Sequence, residues 1–225
     1  MPKRTSPVPV VDDSFYFHID YAVHQNLEET HEPNDFVIEI GGAIEAGTGH
    51  AALEHAGDVT AFRVPAHAPY SQWELCDAHS HELKECADAL FTVGGGIKDE
   101  VEEQFPDAMI MSLDFLFVDM INVVPKFRGR NLGLRAFENM ARTFGGGCAF
   151  VAYKPYAVQF SSRAKREPEY LTSLGTFRIR AEKPATRRVA KHWAQLGGRQ
   201  VKGSDLWLID LTRRWGSEQR DSEED

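Results

Sequence analysis

The chain has 225 residues, 42% of them hydrophobic and 26% charged, which is the composition of a soluble globular protein. Its formal net charge of −9 argues against general nucleic-acid binding, which needs a basic surface to neutralise phosphates. No apolar run approaches the ~20 residues that span a bilayer, so no membrane contact is expected. The start has no apolar core of a secretory signal, and three cysteines are too few and too odd in number for a disulfide framework. The expected setting is therefore reducing and cytoplasmic.

Residues 1–13, with Pro2, Pro7 and Pro9, read as a disordered tail, and 215–225 as an acidic one. Between them, 14–214 reads as a single domain. "FYFHIDYAV" and "DFVIEIGGAIEAG" carry strand composition, and "GDVTAFRVP" is a third strand closed by Pro65. The period then changes. Trp73, Cys76, Ser80, Leu83, Ala87 and Leu90 recur in steps of three and four, one stripe of a helix, which Gly94 to Gly96 end. "KDEVEEQF" predicts a short acidic helix stopped by Pro106. "AMIMSLDFLFVDMINVV" is the most apolar segment and predicts a central strand buried on both faces.

Beyond a turn, Leu134, Phe137, Ala141 and Phe144 mark a helix face, and Gly145 to Gly147 stop it. "CAFVAY" predicts a strand beside the apolar one, reached by a right-handed crossover. Ser161 to Lys183 reads as basic and irregular. Val189, Trp193 and Leu196 then share a helical stripe ended by Gly197-Gly198, and "RQV", "KGSD" and "LWLIDL" form a closing hairpin. The fold class expected is α+β, a mixed, mostly antiparallel central sheet flanked by helices. Charge is uneven along it. Arg163 to Lys191 holds nine Lys/Arg against three Glu, so this segment is net +6 and the remainder −15. That distribution suits a protein that holds a polyanion at one place; solvated surface charge is the plainer reading.

The turn "VVPKFRGRNLG", Val123 to Gly133, concentrates Lys126, Arg128, Arg130, Gly129 and Gly133 between strand and helix. A helix N-terminus exposes unpaired N–H groups and partial positive charge. Glycines let that backbone approach a ligand, so the turn has the makings of a phosphate site. It has neither the Gly-Lys-Ser/Thr ending of a nucleotide-triphosphate loop nor the Gly spacing of a dinucleotide fold. The sequence Val123-Val124-Pro125 followed by Arg128-Gly129-Arg130-Asn131-Leu132-Gly133 resembles the acetyl-coenzyme A loop of the GNAT superfamily of N-acetyltransferases, Arg/Gln-x-x-Gly-x-Gly/Ala after Val-x-Pro. The resemblance covers roughly 109–211. It implies a GNAT-like acyl-coenzyme A N-acyltransferase fold, with the backbone amides of 128–133 on the pyrophosphate and the strand end Ile121, Asn122 and Val123 pairing with the pantetheine arm. Asn131 stands where the family keeps a glycine, and Asn tolerates positive φ better than most residues. The family also places two helices between its first two strands, whereas three strand candidates come first here.

The implied reaction is acyl transfer from acetyl-coenzyme A, or another acyl-coenzyme A, to an amine. The alternative is a module of the same fold that binds or senses the coenzyme without turnover. The amine needs a base, and a backbone N–H near Val123 would support the oxyanion. Asp119, near the end of the apolar strand, is the best acidic candidate; Asp114, five residues earlier, falls on the opposite face. A structural carboxylate, paired with Arg or an amide, is the competing reading for both. The family's tyrosine, which protonates the departing thiolate, corresponds to Trp193, whose indole has no useful acidity. Tyr153 and Tyr156 are the substitutes; otherwise water serves, or no turnover occurs. Arg163, Arg187 or Lys191 could meet the coenzyme's 3′-phosphate. The expected partner is a small-molecule or protein amine acceptor, with a homodimer left open.

"CDAHSHELKEC" raises a metal site. On one helix, however, His79 and His81 point ~200° apart and Cys76 lies in the apolar stripe, so no metal is expected there.

Overall fold

The computed structural model describes residues 15–26, 32–48, 52–106, 114–175 and 181–211. Both expected tails lie outside the described residues, as does most of the lead-in to the apolar strand at 107–113. The chain folds as α+β, with a mixed, mostly antiparallel sheet flanked by helices. Strands β1 (Phe15–His24), β2 (Ile38–Thr48) and β3 (Glu54–Val64) form an antiparallel meander. Helices α1 (Gln72–His79), α2 (His81–Leu90) and α3 (Asp99–Gln104) follow, so the helices come after the third strand as the strand count required. Then come β4 (Asp114–Val123), α4 (Leu132–Phe144) and β5 (Cys148–Tyr153). Short helices α5 (Ser162–Arg166) and α6 (Pro168–Ser173) lead to α7 (Glu182–Trp193) and to the closing pair β6 (Arg199–Gln200) and β7 (Trp207–Asp210). The strand order is β1-β2-β3-β4-β5-β7-β6, and β4–β5 is its parallel pair.

Two apolar layers enclose the sheet. On one face Phe115, Phe117, Phe150 and Phe62 pack under α1 to α3; on the other Leu116, Val118, Val151 and Tyr153 pack under α4. β4 and β5 are therefore lined on both sides, as their unbroken apolar runs predict. The strongly amphipathic α4 buries Leu132, Leu134, Ala136, Phe137, Met140 and Ala141, the stripe that its spacing announced.

Two expectations change. The stripe from Trp73 to Leu90 is not one helix. Ser80 takes an extended conformation, φ −156° and ψ 159°, and its hydroxyl accepts from the Leu83 N–H at 3.2 Å, which starts a second helix. Cys76, Leu83, Cys86, Ala87 and Leu90 stay buried on both sides of the break. The segment 161–183 is not irregular throughout: 162–166 and 168–173 are helical, with Pro168 at the first turn where its missing N–H costs nothing.

Candidate functional site

The site is set by a change of phase inside β4. In register with β3, Val118 faces Ala61 and Met120 faces Thr60, so Asp119 is left over as a bulge. A bulge adds one residue and turns the side chains after it to the other face. Before it, Leu116 and Val118 look toward α4; after it, Ile121 and Val123 do. Regular alternation would have sent those last two to the α2 face. Three residues along β3 from the bulge, opposite Val123, Gly57 is required for close approach, because a Cβ there would come within 2.0 Å of the Asn122 carbonyl oxygen.

The bulge also opens the sheet. Among the described residues β5 pairs with β4 only as far as Val118 against Tyr153, while β4 runs on to Val123 with β3 alone beside it. The Val124 N–H donates to the Ala56 carbonyl on the β3 side at 2.9 Å. By alternation of the peptide groups, the N–H groups of Val123 and Ile121 point toward the open edge. This edge ends at the turn that the motif occupies.

In that turn Pro125–Phe127 forms a single 3₁₀ turn, Gly129 has φ +83°, and Asn131 has φ 56° and ψ 19° before α4 begins. Asn131 is the single non-glycine residue with positive φ among the described residues. The backbone thus takes at Asn131 the left-handed conformation that glycine adopts most readily and Asn tolerates. Among the described residues no group accepts a hydrogen bond from the backbone N–H of Gly129, Arg130, Asn131, Leu132, Gly133 or Leu134, and the first capping bond of α4 is Arg135 N–H to the Asn131 carbonyl. Six donors and the positive end of a 13-residue helix are therefore left open at this turn.

The cations of the turn do other work than the sequence suggested. Arg128 Nε donates to the Val123 carbonyl at 2.8 Å and its Nη2 to the Leu174 carbonyl at 2.5 Å. Burial lowers its pKa from the usual arginine value. It is a strut between the β4 end and α6, not a side chain held out to an anion. Lys126 pairs with Glu54, and the Arg130 guanidinium stacks on Phe15, 4.7 Å from the ring centre. Gly133 leaves room over the strand end: a Cβ there would meet only Val123 and Ile121 methyls at 3.8 and 3.9 Å.

Asp119 has its carboxyl raised to about 6, first by burial and then by the negative charge of Glu82 at the start of α2. Asp114 differs. It accepts from Arg63 at 2.8 and 2.7 Å and from the Ala66 N–H at 3.0 Å, the structural carboxylate in full. Tyr156, just past β5, shares the surroundings of Asp119. Its hydroxyl is pushed above the ordinary tyrosine range by burial and then by Asp119, Tyr170 and Glu82. Tyr153 does not fit the acid role. It is fully buried, its ring lies among Phe137, Trp193 and Trp207, and its hydroxyl donates to the Trp193 carbonyl at 3.5 Å. A Cβ on Gly198 would touch that hydroxyl at 2.4 Å, so this glycine is a packing requirement as well as a helix stop. Trp193 packs edge-on to Phe137 at 5.5 Å, as its stripe predicted. Arg187 and Lys191 lie on the exposed side of α7, and the Arg163 side chain is outside the described residues.

The metal argument on 76–86 assumed one helix. His79 and His81 in fact belong to separate helices, with His79 against Phe62 and His81 beside Glu85. A cluster of metal-type ligands does occur elsewhere, on exposed positions of β1 and a half-buried one of β2: His18 Nε2 is 3.5 Å from Asp20 and 3.3 Å from Glu45. Surface ion pairs of this kind are common and contribute little. Sequence reasoning also missed Glu82, Met120 and Tyr170, which reach β4 from α2, from the bulge and from α6. The packing of α2 and α6 against the bulged end of β4 brings them together, and nothing local in sequence announces it.

No family profile matches the chain, and no curated protein does. Among solved structures, Arabidopsis thaliana NAA60 in complex with acetyl-CoA aligns over 77% of this chain and 77% of its own, at 13% identity and a TM-score of 0.36. A likeness of that size carries no functional argument. No described helix is long and apolar enough to cross a membrane.

Proposed function

We propose that the chain binds an acyl-coenzyme A and transfers its acyl group to an amine, as a GNAT-like N-acyltransferase. One observation carries the reading: the unpaired edge of β4 runs directly into a turn of six open N–H groups at the start of α4. An edge takes an extended, amide-bearing arm by strand-like hydrogen bonds, and the helix start takes the pyrophosphate. The edge from Val123 back to Asp119 is four residue steps, ~13 Å at the rise of a strand. An extended pantetheine arm is of that order, so the thioester falls beside Asp119.

Bound there, the coenzyme supplies an activated acyl thioester. The N–H of Ile121, the open-edge donor nearer Asp119 than the Val123 N–H, donates to the thioester carbonyl oxygen as charge builds on it. The acceptor nitrogen bonds to the carbonyl carbon, the C–S bond breaks, and Asp119 takes the nitrogen's proton directly or through water. A carboxyl near 6 is ionised at neutral pH yet basic enough to accept that proton. Tyr156 is the acid for the leaving thiolate, with Tyr153 confined to the core. The acceptor is an amine on a small molecule or a protein. A second reading, coenzyme binding without turnover, draws on Trp193, which fills the family's tyrosine position and is packed against Phe137.

Calorimetry with coenzyme A, and thiol release over a panel of amines, tests both. Binding in the micromolar range with thiol release from at least one amine is expected. Binding with no release from any amine selects the non-catalytic reading, and no binding removes both.

A further inference from the structure

We propose that Tyr170, on α6, is a specificity-determining residue that restricts the transferred acyl group to a short chain, acetyl or propionyl. The proposal rests on the acyl-coenzyme A reading above. The fork beside Asp119 is closed on three sides. At its apex β4 and β5 pair, Val118 against Tyr153. Toward α4, Val118 and Tyr153 are buried, with the Phe137 and Trp193 rings 5.3 and 5.6 Å from that of Tyr153. A core packed this way has no void for further methylenes. Toward α2, Tyr170 closes over the residue that follows the bulge: its hydroxyl donates to Met120 Sδ at 2.9 Å.

That tyrosine is not a loose surface group. The end of α6 is tied to the phosphate turn through Arg128 and the Leu174 carbonyl at 2.5 Å. The next residue, Gly175, lies so close to Pro125 that a Cβ would reach its Cγ at 2.3 Å. The turn that receives the pyrophosphate therefore also sets the position of Tyr170. A methyl group on the thioester carbonyl needs no further space, whereas a longer chain must part Tyr170 from Met120. The sequence offers no hint of this, since Tyr170 lies in a basic segment some 50 residues after Met120.

The test titrates acetyl-, propionyl-, butyryl- and hexanoyl-coenzyme A calorimetrically into the full chain and into Tyr170→Ala, Tyr170→Phe and Met120→Ala, with thiol release read in parallel. The unaltered chain is expected to bind the hexanoyl thioester about tenfold or more weakly than the acetyl one, the scale on which pockets discriminate methylenes. Tyr170→Ala should erase that ratio, and Tyr170→Phe, which keeps the ring but loses the hydroxyl contact to Met120, should weaken it only in part. Met120→Ala widens the same gap from the other side and serves if Tyr170→Ala does not fold. Equal binding of the acetyl and hexanoyl thioesters by the unaltered chain, or a ratio that survives Tyr170→Ala, overturns the gate and leaves the coenzyme reading standing. No binding of any thioester overturns both.

Discussion

The two halves of β4 differ more than any two separate elements of this protein. From Asp114 to Val118 the strand is paired on both edges, and its side chains from Phe115 onward are buried on both faces. From Asp119 to Val123 it keeps one partner, carries a bulge, and presents an ionisable group and unpaired N–H groups to an open edge. One continuous apolar run supplies both. The lesson is that a single extra residue in a ladder separates the part of a strand that holds the fold from the part that can hold a ligand. If that division is right, substitutions in the two halves should fail in different assays.

The largest effect is expected at the bulge. Asp119→Asn should lower turnover by ~10²–10⁴-fold, the usual contribution of a positioned base, with coenzyme binding retained, as kinetics and calorimetry would read. Its stability should move the other way. The folded-state pKa of about 6 stands above the ordinary 3.8, so between those values the folded state keeps a proton that the unfolded state has released. Stability is full below the lower value and falls as pH rises through the upper one. The loss is on the order of 2–3 kcal/mol. The Asn variant escapes that loss. Denaturant melts at pH 4 and pH 7.5 should show its advantage over the unaltered chain growing with pH. A constant difference would mean that Asp119 is not held high by its surroundings, and the comparison with the paired half would lose its strongest point.

The paired half should show the reverse pattern. Phe115 is buried and stacked on Phe150 at 5.3 Å, so Phe115→Ala should cost about 3–5 kcal/mol of folding stability. The surviving folded fraction should bind coenzyme A with little change. A selective loss of coenzyme binding at unchanged stability would break the division between the halves.

A smaller effect sharpens the open end. Gly133→Ala adds a methyl that meets nothing closer than 3.8 Å, so the melting temperature should hardly move. Coenzyme affinity should fall about tenfold, because the methyl projects where the ligand's backbone contacts are made. Gly129 cannot serve as the same probe. Its φ of +83° makes any side chain strained before a ligand arrives. Affinity unaffected by Gly133→Ala would move the ligand off the helix start.

How much of this was legible in the sequence follows the same division. The paired half of β4, all-apolar β5 and the stripe of α4 were readable because burial on a regular period writes itself into composition. So was the turn, because positive φ and close approach demand Gly or Asn at fixed offsets. Asp119 is found from its place near the strand end, and its position opposite Asp114 follows from the alternation that holds up to the bulge and fails only after it. Glu82, Met120 and Tyr170 could not be found, since nothing local marks residues brought together by three distant elements. Ser80 was misread for the opposite reason: its neighbours keep the helical period through a break that only a cap explains. Arg128 was read by its charge, and it donates to the Val123 and Leu174 carbonyls.

The smallest expected effect tests whether Asn131 is backbone or ligand chemistry. Its φ of 56° and ψ of 19° lie in the left-handed region, and its side chain makes no capping bond to α4. Glycine takes that conformation without the crowding of a Cβ but loses more freedom on folding. The two terms nearly cancel, so Asn131→Gly should leave stability within about 0.5 kcal/mol and coenzyme affinity within about a factor of two. Asn131→Ala keeps the Cβ and drops the residue type that tolerates this region, and should cost roughly 1–2 kcal/mol. Paired denaturant melts and calorimetry read both variants. If Asn131→Gly instead weakened binding several-fold at unchanged stability, the Asn side chain would itself be a ligand contact, and the open half of β4 would extend its reach one residue past the backbone amides.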